Sequence, residues 1–320
     1  MHATLKILPI LLIAACVPVS KVSDQLSRLQ PKPAEKATPT TLEEMATFAP
    51  AGYARLLNDR PYGFRFSVPG EPVRRGQRSE RYEVRSADCA GTDCGNPRYR
   101  SEIRSTGDAR TFLRDDTWFG WSFYNANIPS FSRRDALKTV YGQWKLDGSI
   151  PAAIRVIQIG QGEGNWTTCD PAVCQRTQDA GRDVVLQLDD MRQANNWGEA
   201  QNDGYICKLF SMEASRGTWV DLVINSNFAP DHTGFVRAWV NGDLVCNYQG
   251  AVAPTQPKTR SADPNHRRGI YVSYTTRWDT ARKGAPRPTM VAYYDEYLSG
   301  TKREDVDTRL RIAANKPPVD

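Results

Sequence analysis

Three short segments concentrate residue types that bind anions and move protons. In extended backbone successive side chains point to opposite faces, so residues two apart share a face. In Tyr99-Arg100-Ser101-Glu102-Ile103-Arg104, the charged Arg100, Glu102 and Arg104 share one face, and Ser101 and Ile103 take the other. In Tyr141-Gly142-Gln143-Trp144-Lys145, the polar face carries Tyr141, Gln143 and Lys145, and Trp144 faces the core. In His266-Arg267-Arg268-Gly269-Ile270-Tyr271-Val272-Ser273, one face carries Arg267, Gly269, Tyr271 and Ser273, while Ile270 and Val272 pack inside. A sheet face with this chemistry suits an anionic ligand. The same pattern also describes a solvated outer face laced with ion pairs, and spacing alone leaves both readings open.

The elements that must hold these residues read as strands. Alternation recurs in Gly63–Val68, Trp118–Phe123, Ala153–Ile157, Val184–Leu188, Trp219–Ile224 and Phe235–Val240, with Gly, Pro, Asn and Asp between the runs. Strand-length segments with turn signals and no sustained 3.6-residue period predict an antiparallel sandwich or barrel. Asn241-Gly242 between two apolar triplets predicts a hairpin, since both residues accept positive φ. There is no internal repeat and no glycine-rich phosphate loop. The length of 320 residues fits one large all-β unit. The net charge of +6 favours polyanionic partners. The absence of a long Lys/Arg run argues against a nucleic-acid-binding arm.

The N-terminus reads as an export signal. Lys6 precedes an apolar run from Ile7 to Ala15, too short to span a bilayer. Cys16 after Ile13-Ala14-Ala15 resembles a bacterial lipobox, in which the cysteine is lipidated; a plain signal peptide is the alternative. The expected organisation is a signal over 1–15, a flexible tether over 16–58 rich in Pro, Ala, Thr and Lys, and a folded domain over 59–318. Lipidation at Cys16 implies a bacterial cell-envelope protein anchored to a membrane, with Val17 favouring the outer membrane, facing periplasm or exterior. Setting Cys16 aside leaves six cysteines, and the simplest pairing is Cys89–Cys94, Cys169–Cys174 and Cys207–Cys246. A zinc site is the weaker reading, because the paired cysteines lack tight spacing and the chain has three histidines. No cofactor is expected; Asp170, Asp179, Asp189 and Asp190 could hold a structural calcium ion.

The three segments, in this order, resemble motifs of the jelly-roll polysaccharide lyases. The resemblance rests on Arg100-Ser101-Glu102-Ile103, on Gln143-Trp144-Lys145 and on Arg267-x-Gly269-x-Tyr271. Trp239-Val240-Asn241-Gly242 and the closing Val291–Tyr297 strand add to it, and together they span roughly Arg74 to Asp305. The chain is similar to the heparin-lyase-like and glucuronan-lyase-like group and, more distantly, to alginate lyases. The resemblance implies an all-β, concanavalin-like jelly-roll sandwich of two antiparallel sheets. It also implies β-elimination at a uronic acid: the carboxylate is neutralised, the C5 proton removed and the departing O4 protonated. On this resemblance Arg100 and Gln143 bind the carboxylate, Tyr271 serves as base, acid or both, and Arg267 binds substrate charge in place of the family's lysine. Arg104, Glu102 and Tyr141 complete the substrate-binding face. Lys145 stands where the family has histidine, so it acts as a base only if its pKa is strongly depressed and otherwise binds carboxylate. Tyr274 is a second tyrosine close to the late strand, and His266, near Tyr271 in sequence, could take over part of the role of the family's histidine.

The function expected is therefore an exported lipoprotein lyase of a uronate-containing acidic polysaccharide, acting as a monomer without nucleic acid. The alternative is a non-catalytic lipoprotein that binds acidic carbohydrate on the same fold, favoured by Lys145 in place of histidine. A sandwich glycoside hydrolase is disfavoured, because its Glu-x-Asp-x-x-Glu strand is absent. Trp118, Trp121, Trp219, Trp239 and Trp278 are core residues or sugar-stacking platforms.

Overall fold

The alternating segments pair into two sheets. The computed structural model describes residues 48–56, 59–95, 98–107, 111–131, 137–146, 151–159, 167–168, 182–188, 205–254 and 263–320. All of them lie in the compact unit Thr38–Asp320. One sheet has eight strands in the order β1 (Tyr53–Leu56), β4 (Tyr99–Ser105), β14 (Asn265–Ser273), β6 (Lys138–Lys145), β7 (Ala152–Ile159), β9 (Asp183–Leu188), β10 (Tyr205–Ser211) and β8 (Thr167–Thr168). The other has seven: β13 (Asp243–Gln249), β12 (Phe235–Val240), β11 (Trp219–Ser226), β5 (Thr117–Asn125), β15 (Met290–Gly300), β3 (Glu80–Val84) and β2 (Phe64–Phe66). Pairing is antiparallel throughout except between β8 and β10. Most neighbours are distant in sequence, as in the β-sandwich jelly roll that the motifs imply.

The inner faces close on one apolar core. Ile103, Trp144, Ile154, Val156, Leu186, Ile270 and Val272 come from the eight-stranded sheet, and Phe119, Trp121, Phe123, Leu222, Ile224 and Tyr294 from the other. Strand β6 shifts register against β7 between Val140 and Gly142, and β14 shifts against β6 between Arg268 and Tyr271. Irregularities of this kind release backbone groups from the ladder. The Tyr294 hydroxyl reaches across the sandwich to both places, 2.7 Å from the Tyr141 carbonyl oxygen and 2.8 Å from that of Gly269. The predicted Asn241–Gly242 hairpin is present, with φ of 53° and 97°.

Two of the expected disulfides form. Cys207–Cys246 ties β10 to β13, one strand from each sheet, with 6.1 Å between Cα atoms. Cys89–Cys94 closes a local loop with 5.0 Å between Cα atoms. Cys16, Cys169, Cys174 and the acidic residues Asp170, Asp179, Asp189 and Asp190 lie outside the described residues.

The domain begins earlier than the sequence suggests. Residues 48–56 fall in the expected tether, yet Phe48 is buried in the core and β1 pairs with β4 along Tyr53–Leu56. The aromatic residues Phe48 and Tyr53 supply the reason: Phe48 packs on Phe64 and Phe66, and Tyr53 on Tyr297. At the other end, residues 303–319 cover the outside of the seven-stranded sheet. Glu296, 1% exposed, accepts there from Arg75 at 3.0 Å and from the Val319 amide at 2.9 Å. A Cβ at Gly120 would overlap the Val306 carbonyl oxygen, so glycine permits this close approach.

Candidate active site

The face of the eight-stranded sheet turned away from the core carries two adjoining rows of side chains. Register pairs Arg104 with Arg267, Arg267 with Gln143, Gln143 with Arg155 and Arg155 with Gln187. Neighbouring strands lie about 4.8 Å apart, so this polar row crosses five strands in roughly 20 Å. The next row pairs Arg100 with Tyr271, Tyr271 with Val140, Val140 with Ile157 and Ile157 with Val185. Tyr271 is half-buried and packs on the apolar patch of Val140, Ile157, Val185 and Ile206. A phenol thus sits at the boundary of an apolar patch and a row of guanidinium and amide groups.

Arg100 is the best-fixed member. It is 7% exposed, donates from Nε to Asp93 at 2.9 Å and from Nη1 to Glu102 at 2.8 Å, and lies 4.2 Å over the Tyr271 ring. Burial opposes its charge, but Glu102 and Asp93 outweigh that and hold its pKa above the ordinary value. Glu102 also accepts from Gln143 Nε2 at 2.7 Å. Strand β14 lies between these two residues and presents Gly269 opposite Glu102. For Tyr271, burial raises the phenol pKa, while Arg100 and Arg98 pull it down.

The open end of the polar row is cationic. Arg104 is exposed, and Arg267 and Lys145 are half-buried. Arg267 Nε donates to Asn265 Oδ1 at 2.9 Å, Asn265 Nδ2 to the Lys145 carbonyl oxygen at 2.6 Å, and Lys145 Nζ to the Leu146 carbonyl oxygen at 3.1 Å.

The structure brings Arg100, Glu102, Arg104, Gln143, Lys145, Arg267 and Tyr271 to one sheet face. Tyr141 is a correction. The register shift between Val140 and Gly142 turns Tyr141 inward, where it is 2% exposed, packs on Phe123 and donates to Gln158 Oε1 at 2.6 Å. His266 also faces inward, among Phe119, Trp121, Trp144 and Tyr297, with neither ring nitrogen hydrogen-bonded. Tyr274 lies past the end of β14 with φ 63°, its ring 4.0 Å from the Arg277 guanidinium and 5.0 Å from Lys138 Nζ. His232 is exposed in the turn before β12. Trp121 and Trp278 are buried, whereas Trp118 and Trp239 stack on each other at 5.2 Å.

Sequence reasoning missed Arg155, Gln187 and Asp93. Arg155 and Gln187 are 4% and 3% exposed, each a polar residue flanked by apolar ones in a mostly apolar strand. Their signal was that interruption, two residues from Ile157 and Val185 of the apolar patch. Asp93 lies in a loop between two cysteines, where periodicity has nothing to say.

The sequence profile of the family described as polysaccharide lyase matches residues 57–297. The chain belongs to the polysaccharide lyase family. That span runs from beside β1 to Tyr297 and holds every residue of both rows. Among solved structures, this polysaccharide lyase is similar to an endo-β-1,4-glucuronan lyase from the fungus Trichoderma reesei. The TM-score is 0.51 and the identity 15%, over 76% of this chain and 90% of that one. A family 7 alginate lyase in complex with product has a TM-score of 0.45 and 11% identity, over 74% of this chain and 83% of that one. No curated protein sequence matches this lyase.

Proposed function

We propose that this lyase is an exported lipoprotein that cleaves a uronate-containing acidic polysaccharide by β-elimination on the outer face of the eight-stranded sheet. The observation that carries this reading is the polar row Arg104–Arg267–Gln143–Arg155–Gln187 beside Tyr271. Each strand offers one charged or amide group, at a spacing that suits successive sugars of a polymer lying across the strands. Gln143 and Arg267 neutralise the carboxylate next to the reacting carbon and stabilise the charge that develops there. Arg104, Arg155 and Lys145 bind flanking carboxylates.

Tyr271 moves the protons. A base takes the C5 proton, the electron pair forms the C4–C5 double bond, the C4–O4 bond breaks and O4 takes up a proton; no water is consumed. Burial favours the neutral phenol as the acid, and Arg100 over the ring favours the phenolate as the base. Arg100 thus acts on Tyr271 rather than on substrate, because two carboxylates already share its guanidinium.

Incubation with uronate polymers, followed by ultraviolet absorbance of the unsaturated product, tests the reading. The wild type is expected to give the absorbance, and Tyr271→Phe to lower the rate at least ~100-fold while binding persists. Binding to an acidic polysaccharide without product from any uronate polymer would instead establish the non-catalytic alternative. Export rests on Lys6, the apolar run to Ala15 and Cys16. Cys16→Ser is expected to move the protein from the membrane fraction to the soluble one, and an unchanged distribution overturns the anchor.

A further inference from the structure

Asp93 belongs to no strand. It sits in the four-residue helix Thr92–Gly95, inside the loop closed by Cys89–Cys94. It is nevertheless 2% exposed. A buried carboxylate is costly unless charges and hydrogen bonds meet it. Asp93 is met by Arg100 Nε at 2.9 Å and by Arg98 Nη1 at 4.0 Å. Its backbone is tied on both sides: its amide donates to Ala90 at 3.2 Å, the Cys94 amide to Gly91 at 3.2 Å, and the Arg98 amide to the Asp93 carbonyl oxygen at 3.0 Å.

Arg100 therefore has one carboxylate on the sheet, Glu102, and a second brought to it by the loop. An arginine side chain has several rotatable bonds and a large rotamer entropy to lose. Two carboxylates from different directions remove that freedom and set the guanidinium 4.2 Å over the Tyr271 ring. The bridge is adjacent in sequence to the residue that completes this arrangement.

We propose that Asp93, held in place by the Cys89–Cys94 bridge, is a positioning residue for the lyase reaction, acting through Arg100 to fix the place and the electrostatic surroundings of the Tyr271 phenol. This rests on the reading of Tyr271 as the proton-transfer group. The charged groups facing Tyr271 are Arg98 and Arg100, which favour the phenolate, and Glu102 and Asp93, which oppose it. From β6, β7, β9 and β10 the packing neighbours are the apolar Val140, Ile157, Val185 and Ile206. Removing the Asp93 charge leaves the arginines less compensated, so the phenol should ionise at lower pH.

The test is the pH profile of kcat for Asp93→Asn, with folding checked by circular dichroism. The expected result is a kcat lower by about tenfold, part of the ~100-fold or more that a positioned proton-transfer group supplies. The limb set by the phenol should move to lower pH, and Asp93→Glu should restore it. The double variant Cys89→Ser, Cys94→Ser should move the limb the same way by a smaller amount. A folded Asp93→Asn protein whose limb stays in place overturns the inference. If Asp93→Asn does not fold, the double variant decides: a shifted limb supports the inference and an unshifted one overturns it. Full activity in Tyr271→Phe fails differently, since it removes the role of Tyr271 itself.

Discussion

Gln143 and Glu102 meet at 2.7 Å across a strand to which neither belongs. On the intervening strand the residue opposite Glu102 is Gly269. Gly269 has φ 129°, and a Cβ there would overlap the Ser101 carbonyl oxygen and lie 2.8 Å from Tyr82 Cδ1. Gly269→Ala is therefore expected to destabilise the protein by about 2–4 kcal/mol, from backbone strain and overpacking together. Denaturant midpoints measure the loss, and a change below ~1 kcal/mol would show that the backbone relaxes without cost.

Arg155 tests the length of the polar row. It stands one strand beyond Gln143 and away from Tyr271, so it should bind polymer without touching the reacting carbon. Arg155→Gln is expected to raise KM by about tenfold at nearly constant kcat, the loss of a charge-assisted contact worth roughly 1.5–3 kcal/mol reduced by the remaining amide. A fall in kcat at constant KM would place Arg155 among the groups that act in the transition state.

His266 should make the fold acid-sensitive. Burial, with help from the Arg268 charge, pushes its imidazole well below the ordinary value. An unfolded histidine takes up a proton below about pH 6.5, while the folded one stays neutral. Its contribution to stability is thus complete above that pH and lost as the pH falls toward the folded value, by about 1.4 kcal/mol per unit. His266→Phe, which keeps an aromatic ring among Trp144, Phe119 and Tyr297, should flatten the dependence of the melting temperature between pH 7.5 and pH 5. An unchanged slope would mean that other groups set it.

Gly120→Ala tests the cover over the seven-stranded sheet. The added methyl must displace the Val306 carbonyl. A loss of about 1–3 kcal/mol is expected, with lyase activity per folded molecule unchanged because the proposed site lies on the other sheet. Lost activity in a fully folded variant would show that the two faces are coupled.

Much of the site was legible because strand parity is a strong constraint. Arg100, Glu102 and Arg104 stay in phase along a regular β4, and Arg267 and Tyr271 along β14. The same parity turns His266 away from Arg267 and into the core, so it does not join the site as its nearness to Tyr271 in sequence suggests. It failed at Tyr141, where the register shift beside Gly142 reverses the phase, and the Tyr294 hydroxyl that satisfies that irregularity comes from a strand some 150 residues away. Asp93 was invisible for another reason: a loop carboxylate acquires its partner only when β4 is in place. The start of the domain is hard to read because the mixed Pro, Ala, Thr, Lys and Ser composition before it runs on without a break, while Phe48 and Tyr53 are the residues that dock.

The packing of residues 303–319 over β5 and β15 has a topological corollary. A two-sheet sandwich offers a long polymer two broad sides, and here the middle of one is roofed by the protein's own helices. On the proposed reading, a saccharide laid across the strands meets the face that carries Tyr271, and the C-terminal residues occupy the middle of the opposite one.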